Sequence, residues 1–279
     1  MKTMLSAIVH TQPVRSGHGR CRAGRAVRLL ACGLAVVATA IIPVAHAADD
    51  TLRPRHAPAQ GWSFNGALGR FDLAAVQRGY AVFSGVCASC HGLAQVHFSD
   101  LMGMGLDAED VQAVAAAWQV PDGPNAQGQL QRRKGRPDDA LASPYWGPAA
   151  AKAANGGVVP PDLSRIVTVY PGGADRIYAL LTGYAPDAAP AGHDFANPYA
   201  IGHRTAMPPP LHDGAVQYTD GTQPGVQQQA RDVTTFLAWV SAPHQDARRR
   251  VGVGAALYLC FLALLFVILK RRIWSDVRK

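Results

Sequence analysis

Few residues of this chain could do chemistry, and the most telling are contiguous: Cys87-Ala88-Ser89-Cys90-His91. Two thiols three positions apart, followed directly by an imidazole, form the attachment string of a c-type haem. On one helical turn both sulfurs reach the two vinyl groups of a porphyrin and can form thioethers. The next residue then projects His91 beneath the iron as proximal ligand. A Cys-x-x-Cys redox pair needs no following histidine and sits in a βαβ context, which is absent around these residues. A zinc site needs two further ligands at paired spacing, and the chain has no second cysteine pair. The motif occurs once, so one covalently bound haem c is expected.

The iron then needs a sixth ligand. The candidates are Met102, Met104, Met207, His97, His193, His203 and His212. A methionine opposite histidine raises the reduction potential and suits an electron carrier. Met207 begins Met207-Pro208-Pro209-Pro210, whose prolines fix the backbone and hold the thioether at one position. Met102 and Met104 follow His91 by only 11 and 13 residues, a short reach to the opposite face of a ring, and read as packing residues. Met207 is the expected ligand, and His203, in the same loop, is its main competitor.

Helices have to position these groups. Asp72 caps a segment with Leu73, Val76, Tyr80 and Phe83 at 3–4 spacing that runs into Cys87. Asp107 opens a second, with Val111, Val114 and Trp118 on one face. Asp175 opens a third, with Ile177, Leu180 and Leu181, ending at Gly183. The last follows Pro224-Gly225 and carries Val226, Ala230, Val233, Leu237 and Val240 on one stripe. Gly and Pro are dense through 121–225, which marks loops, and no run of alternating strands stands out. The body reads as mainly α, joined by long loops and packed around a cofactor.

Charge divides the chain of 279 residues sharply. Its formal +8 would suit nucleic acid, but residues 1–47 hold six basic and no acidic residues, and 248–279 hold eight basic and one acidic, leaving 48–247 at −5. An acidic body argues against phosphate binding. The start reads as a cleaved signal peptide over 1–47: an Arg-rich segment to Arg28, an apolar run Leu29–Val44, and Ala45-His46-Ala47 as small-x-small site. A lipobox-like Leu29-Leu30-Ala31-Cys32 is the lesser alternative, because most of the apolar run follows the cysteine. Residues 251–269 carry no charge, span about 28 Å as a helix, and are bracketed by Arg248-Arg249-Arg250 and Lys270-Arg271-Arg272. They read as a transmembrane anchor that leaves 48–247 exported and 270–279 as a basic cytoplasmic tail. Of the five cysteines, Cys21 and Cys32 lie in the signal segment and Cys260 in the anchor, so there is no disulfide scaffold.

With these residues placed, the chain resembles the cytochrome c1 family, the haem subunit of the cytochrome bc1 complex, over nearly all of 60–279. The resemblance rests on an ordered series of strings. They are Trp62-Ser63-Phe64, Gln77-Arg78-Gly79, VCASCH at 86–91, Asp122-Gly123-Pro124-Asn125 and Ala153-Ala154-Asn155-Gly156. Pro160-Pro161-Asp162-Leu163-Ser164, Leu180-Leu181-Thr182-Gly183-Tyr184, Asn197-Pro198-Tyr199, Met207-Pro208-Pro209 and Asp220-Gly221-Thr222 follow. The resemblance implies a class I cytochrome c-like haem domain enlarged by loops, its first and last helices crossing, plus one C-terminal transmembrane helix. It implies thioethers at Cys87 and Cys90, axial ligands His91 and Met207, Pro161 packed against the haem, and Asn155 in a loop near the ring edge. It implies partners too: cytochrome b and the Rieske iron–sulfur protein, from which electrons come, and a soluble cytochrome c, to which they go. The setting implied is a bacterial inner membrane, respiratory or photosynthetic, with the haem domain in the periplasm.

The chain departs from the family where an arginine commonly contacts a haem propionate after PPDLS: Tyr170 stands there, and Arg165 or Arg204 are candidate substitutes. The segment after the haem motif, His97-Phe98-Ser99-Asp100-Leu101, also lacks the usual arginine. Both changes predict a reduction potential below that of relatives that keep the arginine. Electron transfer, with no bond chemistry on this subunit, is the leading expectation. The acidic body would steer a basic cytochrome c, with Asp107, Glu109, Asp110, Asp138 and Asp139 as candidate contacts. The alternatives are an anchored cytochrome that feeds a terminal oxidase or reductase directly, and a haem catalyst with an open sixth position.

Overall fold

The first helix starts where a side chain satisfies free amides. In the computed structural model, which describes residues 53–185, 192, 194–275 and 277, the Asp72 carboxylate accepts from the amides of Ala74 and Ala75 and opens α1, Leu73–Gly85. In chain order there follow β1 (Leu93–His97), α2 (Ala108–Ala116), β2 (Gln119–Pro124), β3 (Leu130–Lys134) and β4 (Ala140–Leu141). Then come α3 (Pro148–Ala154), α4 (Ile166–Val169), α5 (Gly173–Thr182), β5 (Phe195–Ala196), β6 (Arg204–Thr205), α6 (Val226–Ser241) and α7 (Gln245–Ser275). The protein is mainly helical, as its patterning predicts. The expected signal segment 1–47 and His193 lie outside the described residues.

The strands were not legible beforehand. Among the described residues they pair as three antiparallel two-stranded ribbons, β1 with β4, β2 with β3 and β5 with β6. β2 contains two prolines and a glycine, and only Val120 of its residues is buried, so the alternation that flags a half-buried strand is missing.

The centre of the fold is where α1 meets α6. Gly79 lies so close to α6 that a Cβ there would stand 2.1 Å from the Asp232 carbonyl oxygen and 2.6 Å from the Phe236 Cβ. Around that contact Val76, Val82, Phe83, Val233 and Phe236 are wholly buried. The predicted stripe on α6 holds, with Ala230, Val233, Leu237 and Val240 all in the core. Beside Gly79, Arg78 reaches across with a two-pronged grip on Asp232 (3.0 and 3.1 Å) and a third bond to Asp220 (2.7 Å). Fork-to-carboxylate geometry of this kind gives the buried carboxylate two charge-assisted bonds. Gln77 donates to the Met104 carbonyl at 2.8 Å, so the Gln-Arg-Gly string works as one packing device.

Asp107 caps α2 as expected, in a capping box with Asp110. Asp175 does not cap its helix. α5 begins two residues earlier, after Gly172 in a left-handed conformation (φ 92°), and the Asp175 carboxylate instead accepts from the Gln60 amide and the Trp62 indole. A tertiary contact outcompetes the local cap.

α7 contains the uncharged run 251–269 and is long and apolar enough to cross a membrane, about 46 Å end to end, with mean hydropathy 2.6 in its most apolar stretch. Its first turns are tied to the Trp-Ser-Phe segment. Arg249 donates to the carbonyls of Phe64 (2.6 Å) and Gly69 (2.9 Å), Gln245 donates to the Phe64 carbonyl, and Asp246 accepts from the Phe71 amide.

Candidate functional site

α1 delivers the cysteine motif. The helix ends at Gly85, and one 3₁₀ turn, Cys87–Ser89, follows, closed by amides of Cys90 (3.1 Å) and His91 (2.9 Å) donating to the Cys87 carbonyl. Both cysteines are half-buried free thiols. Burial pushes the Cys87 thiol up to about 12, so it stays protonated and neutral near pH 7. The turn therefore offers two unbridged thiols on one side of a fixed helix end.

His91 is oriented from outside the motif. Its Nδ1 lies 2.8 Å from the carbonyl oxygen of Pro161. A carbonyl can only accept, so Nδ1 carries the proton and the lone pair rests on Nε2. Burial holds the imidazole below its ordinary pKa, against opposing effects of the Pro161 bond and Asp162, which keeps the ring neutral. This is the state that ligates a metal through Nε2.

The Pro-Pro-Asp-Leu-Ser string places that carbonyl. It lies along 92–95 and is bonded to it residue by residue. Leu163 donates to the Gly92 carbonyl (2.9 Å), the Asp162 carboxylate accepts from Ala94 (2.7 Å), and the Ser164 hydroxyl accepts from Gln95 (3.0 Å). Asp162 also accepts from the Ser164 amide, which braces the turn.

Asn155 caps the end of α3 and donates from its side chain to the Ala151 carbonyl (2.7 Å). The Tyr145 hydroxyl stands 3.4 Å from the Asn155 Oδ1 and also interacts with the Cys90 sulfur. Tyr145 thus ties Asn155 to the cysteine turn, a link that sequence reading missed because nothing in 143–147 marks it.

Met207 is held separately. Among the described residues no hydrogen bond joins it to His91 or the cysteines, whereas Cys87, Cys90, His91, Pro161 and Asn155 form one connected group. The Tyr184 hydroxyl donates to the Met207 carbonyl (2.9 Å), and the Met207 amide donates to Thr205 Oγ1 (3.2 Å). Behind it, buried Asn197 donates to the Leu180 carbonyl (2.7 Å), and the Tyr199 ring packs where any Cβ on Gly183 would sit, 2.5 Å away. The Leu-Leu-Thr-Gly-Tyr and Asn-Pro-Tyr strings are therefore the frame that fixes the methionine loop.

Among the described residues the competing ligands are placed elsewhere. The His203 ring is bonded through Nε2 to the Arg53 carbonyl (2.8 Å), and its backbone has φ 59°. Met104 is buried in the core and Met102 is half-exposed on the surface. His97 lies 3.6 Å from Asp100, and His212 contacts the Asp213 carbonyl.

Together these features fit a haem. Free thiols share one turn, a neutral histidine presents Nε2, and a methionine loop is braced independently. Cys87, Cys90, His91 and Met207 would hold the group.

The chain matches the model of the cytochrome C1 family over residues 62–277. It is 43% identical over 228 residues to the mitochondrial cytochrome c1 haem protein of Kluyveromyces lactis, covering 80% of this chain and 78% of that one. It is 39% identical over 238 residues to cytochrome c1 of Rhodospirillum rubrum, covering 78% and 88% respectively. It is 37% identical to a cytochrome b/c1 of Bradyrhizobium diazoefficiens, over 92% of this chain and 40% of that longer one.

Proposed function

The chain belongs to the cytochrome c1 family, whose members bind haem, and we propose that it is the membrane-anchored, mono-haem electron-transfer subunit of a cytochrome bc1 complex. Cys87 and Cys90 would hold the haem through thioethers, and His91 Nε2 and the Met207 sulfur would ligate its iron. Bound there, the haem supplies a one-electron redox centre.

The chain's own residues do the rest. Pro161 fixes the His91 tautomer and raises the basicity of Nε2. Tyr184 and Thr205 hold the Met207 backbone, so the sulfur need not reorganise between oxidation states. The α1–α6 crossing keeps the cysteine turn rigid. Electrons arrive from a Rieske iron–sulfur protein and leave to a soluble cytochrome c, while cytochrome b is the partner in the membrane. The name of the Bradyrhizobium relative, cytochrome b/c1, supports that last association.

α7 anchors the protein, with the domain in the periplasm of a bacterial cell and residues 1–47 as its export signal. Of the acidic residues that could steer a basic cytochrome c, Asp139 is neutralised by Arg133 (2.5 and 2.6 Å), and Asp107 and Asp110 serve as helix caps. Glu109 and Asp138 are exposed and remain available.

The hydrogen bond from His91 Nδ1 to Pro161 carries this reading, because a redox-active or structural cysteine pair has no use for a histidine so oriented. Mild-detergent purification tests it. A b-type cytochrome and a Rieske protein should co-purify with the chain, and isolation with an oxidase alone would contradict the assignment.

A further inference from the structure

The body is acidic as a whole, yet its densest run of bases lies beside the cysteine turn. Between Gln119 and Arg136 four basic residues, Arg132, Arg133, Lys134 and Arg136, stand against a single acid, Asp122. Only Arg133 is neutralised. It bonds Asp122 at 3.0 Å and Asp139 at 2.5 and 2.6 Å, which pins the β2–β3 ribbon to the segment that follows it. Arg132, Lys134 and Arg136 are exposed, and among the described residues they form no ion pair.

The contacts of Arg132 place this charge. Its guanidinium donates to the Gln119 carbonyl (3.0 Å) and to the Pro144 carbonyl, and stands 4.9 Å over the Trp146 ring. Carbonyls and a ring hold the group without cancelling its charge. Tyr145, between Pro144 and Trp146, interacts with the Cys90 sulfur. A Cβ on Gly92, next after His91, would stand 2.4 Å from the Ser143 amide nitrogen. A cavity of about 100 Å³ is lined both by Ala88, inside the haem string, and by Arg132. The segment 143–146 therefore carries the ribbon against the cysteine turn.

The same surface is partly apolar. Side chains alternate along β3, so Leu130, Arg132 and Lys134 share one face. Leu130 is 57% exposed and Trp146 41%, so free cations lie beside uncovered apolar surface. Arginine and tryptophan are enriched at protein interfaces and at their hot spots. At physiological ionic strength exposed charges more than about 8 Å apart are largely screened. A partner resting here meets the ribbon, not the summed charge of the body.

We propose that the β2–β3 face, together with Trp146, is a docking surface for an acidic redox protein that exchanges electrons at the cysteine turn. This rests on the haem reading of Cys87–His91. It revises the basic partner that the charge sum suggests: Arg132, Lys134 and Arg136 do the steering, and the partner's contact face is rich in carboxylates. One electron leaves the reduced chain and the oxidised partner gains it, with no bond formed or broken.

The test uses the full haem-loaded chain in detergent, with an acidic and a basic soluble cytochrome c as probes. Binding between oxidised proteins is measured on a sensor surface over a range of salt, and electron transfer from the reduced chain by stopped flow. Wild type should bind the acidic probe more tightly than the basic one, and salt should weaken that binding. Lys134→Glu/Arg136→Glu leaves the Arg132 bonds in place. It should bind the acidic probe about tenfold more weakly and reduce it correspondingly more slowly. Trp146→Ala should also weaken binding about tenfold, with the salt dependence unchanged. Arg70→Glu alters an exposed cation just before α1, at the other end of that helix from the cysteine turn, and should leave both probes as in wild type.

Undiminished binding by the charge-reversed variant, or a wild type that prefers the basic probe, overturns the proposal. The face could instead meet a second copy of this chain. Self-association in sedimentation that the charge reversal abolishes, with binding of the acidic probe unchanged, would show that and refute the acidic partner. Pyridine haemochrome counts covalent haem separately. A chain without it overturns the haem reading, while binding of the acidic probe still decides the docking surface.

Discussion

Replacing Gly79 by alanine sets two physical effects against each other. In a helix interior alanine is favoured over glycine by roughly 1 kcal/mol, so local propensity predicts a stabilised α1. Packing predicts the opposite. The new methyl would stand 2.1 Å from the Asp232 carbonyl oxygen and 2.6 Å from the Phe236 Cβ, and the first of these is backbone. Reaching ordinary contact means moving α6 off α1 by about 1 Å, and such overpacking costs about 1–3 kcal/mol, occasionally more. The same displacement stretches the grip of Arg78 on Asp232, whose side chain is only 1% exposed, and a weakened partner for a buried charge adds to the cost. The net expectation is a loss of about 2 kcal/mol, or roughly 4–8 °C in Tm for a domain of this size. Thermal and urea unfolding of the haem-loaded protein, followed by circular dichroism, measure it. A Gly79→Ala protein as stable as wild type, or more so, would refute the close crossing of the two helices.

Three further outcomes are expected. Tyr184→Phe removes the bond to the Met207 carbonyl, worth about 0.5–1.5 kcal/mol. The reduced variant should bind carbon monoxide more readily than wild type by roughly threefold to tenfold, and equal binding would show that the loop is held by other contacts. Asp220 is held down at about 2 by the Thr222 amide and then by Arg78. Its contribution is fully present above about pH 4 and is lost as pH falls toward 2, because the unfolded carboxylate takes up its proton first. Asp220→Asn should flatten the stability profile across that window, as read by acid unfolding. Arg249→Ala deletes two bonds to the Phe64 and Gly69 carbonyls. Amide exchange across 64–71 should then accelerate by about tenfold, an effect of roughly 1–1.5 kcal/mol.

What the sequence made legible was local. Asp72 and Asp107 cap their helices because no competing donor among the described residues reaches their carboxylates, and the stripe of α6 is a plain 3–4 repeat. The haem string needed no structure at all. What stayed hidden depended on distant partners. Asp175 looks like a helix cap, yet Trp62, 113 residues earlier in the chain, takes its carboxylate. β2 and β3 carry no alternation because, of their residues, only Val120 is buried. Strings that a resemblance only aligns acquire mechanical roles: Gln77-Arg78-Gly79 makes the helix crossing, and Asn197-Pro198-Tyr199 braces the methionine loop. The bases at 132–136 are plain in the sequence, but their place beside the cysteine turn is a tertiary fact.

The central claim is that Cys87 and Cys90 carry a haem whose iron His91 faces. Mass spectrometry of the protease-released peptide spanning 87–91, from protein made in a host that attaches haem c, tests it most directly. The account predicts one haem joined to that peptide through both sulfurs, surviving acid–acetone extraction. Two free thiols, or a Cys87–Cys90 disulfide with the haem extracted, would contradict it.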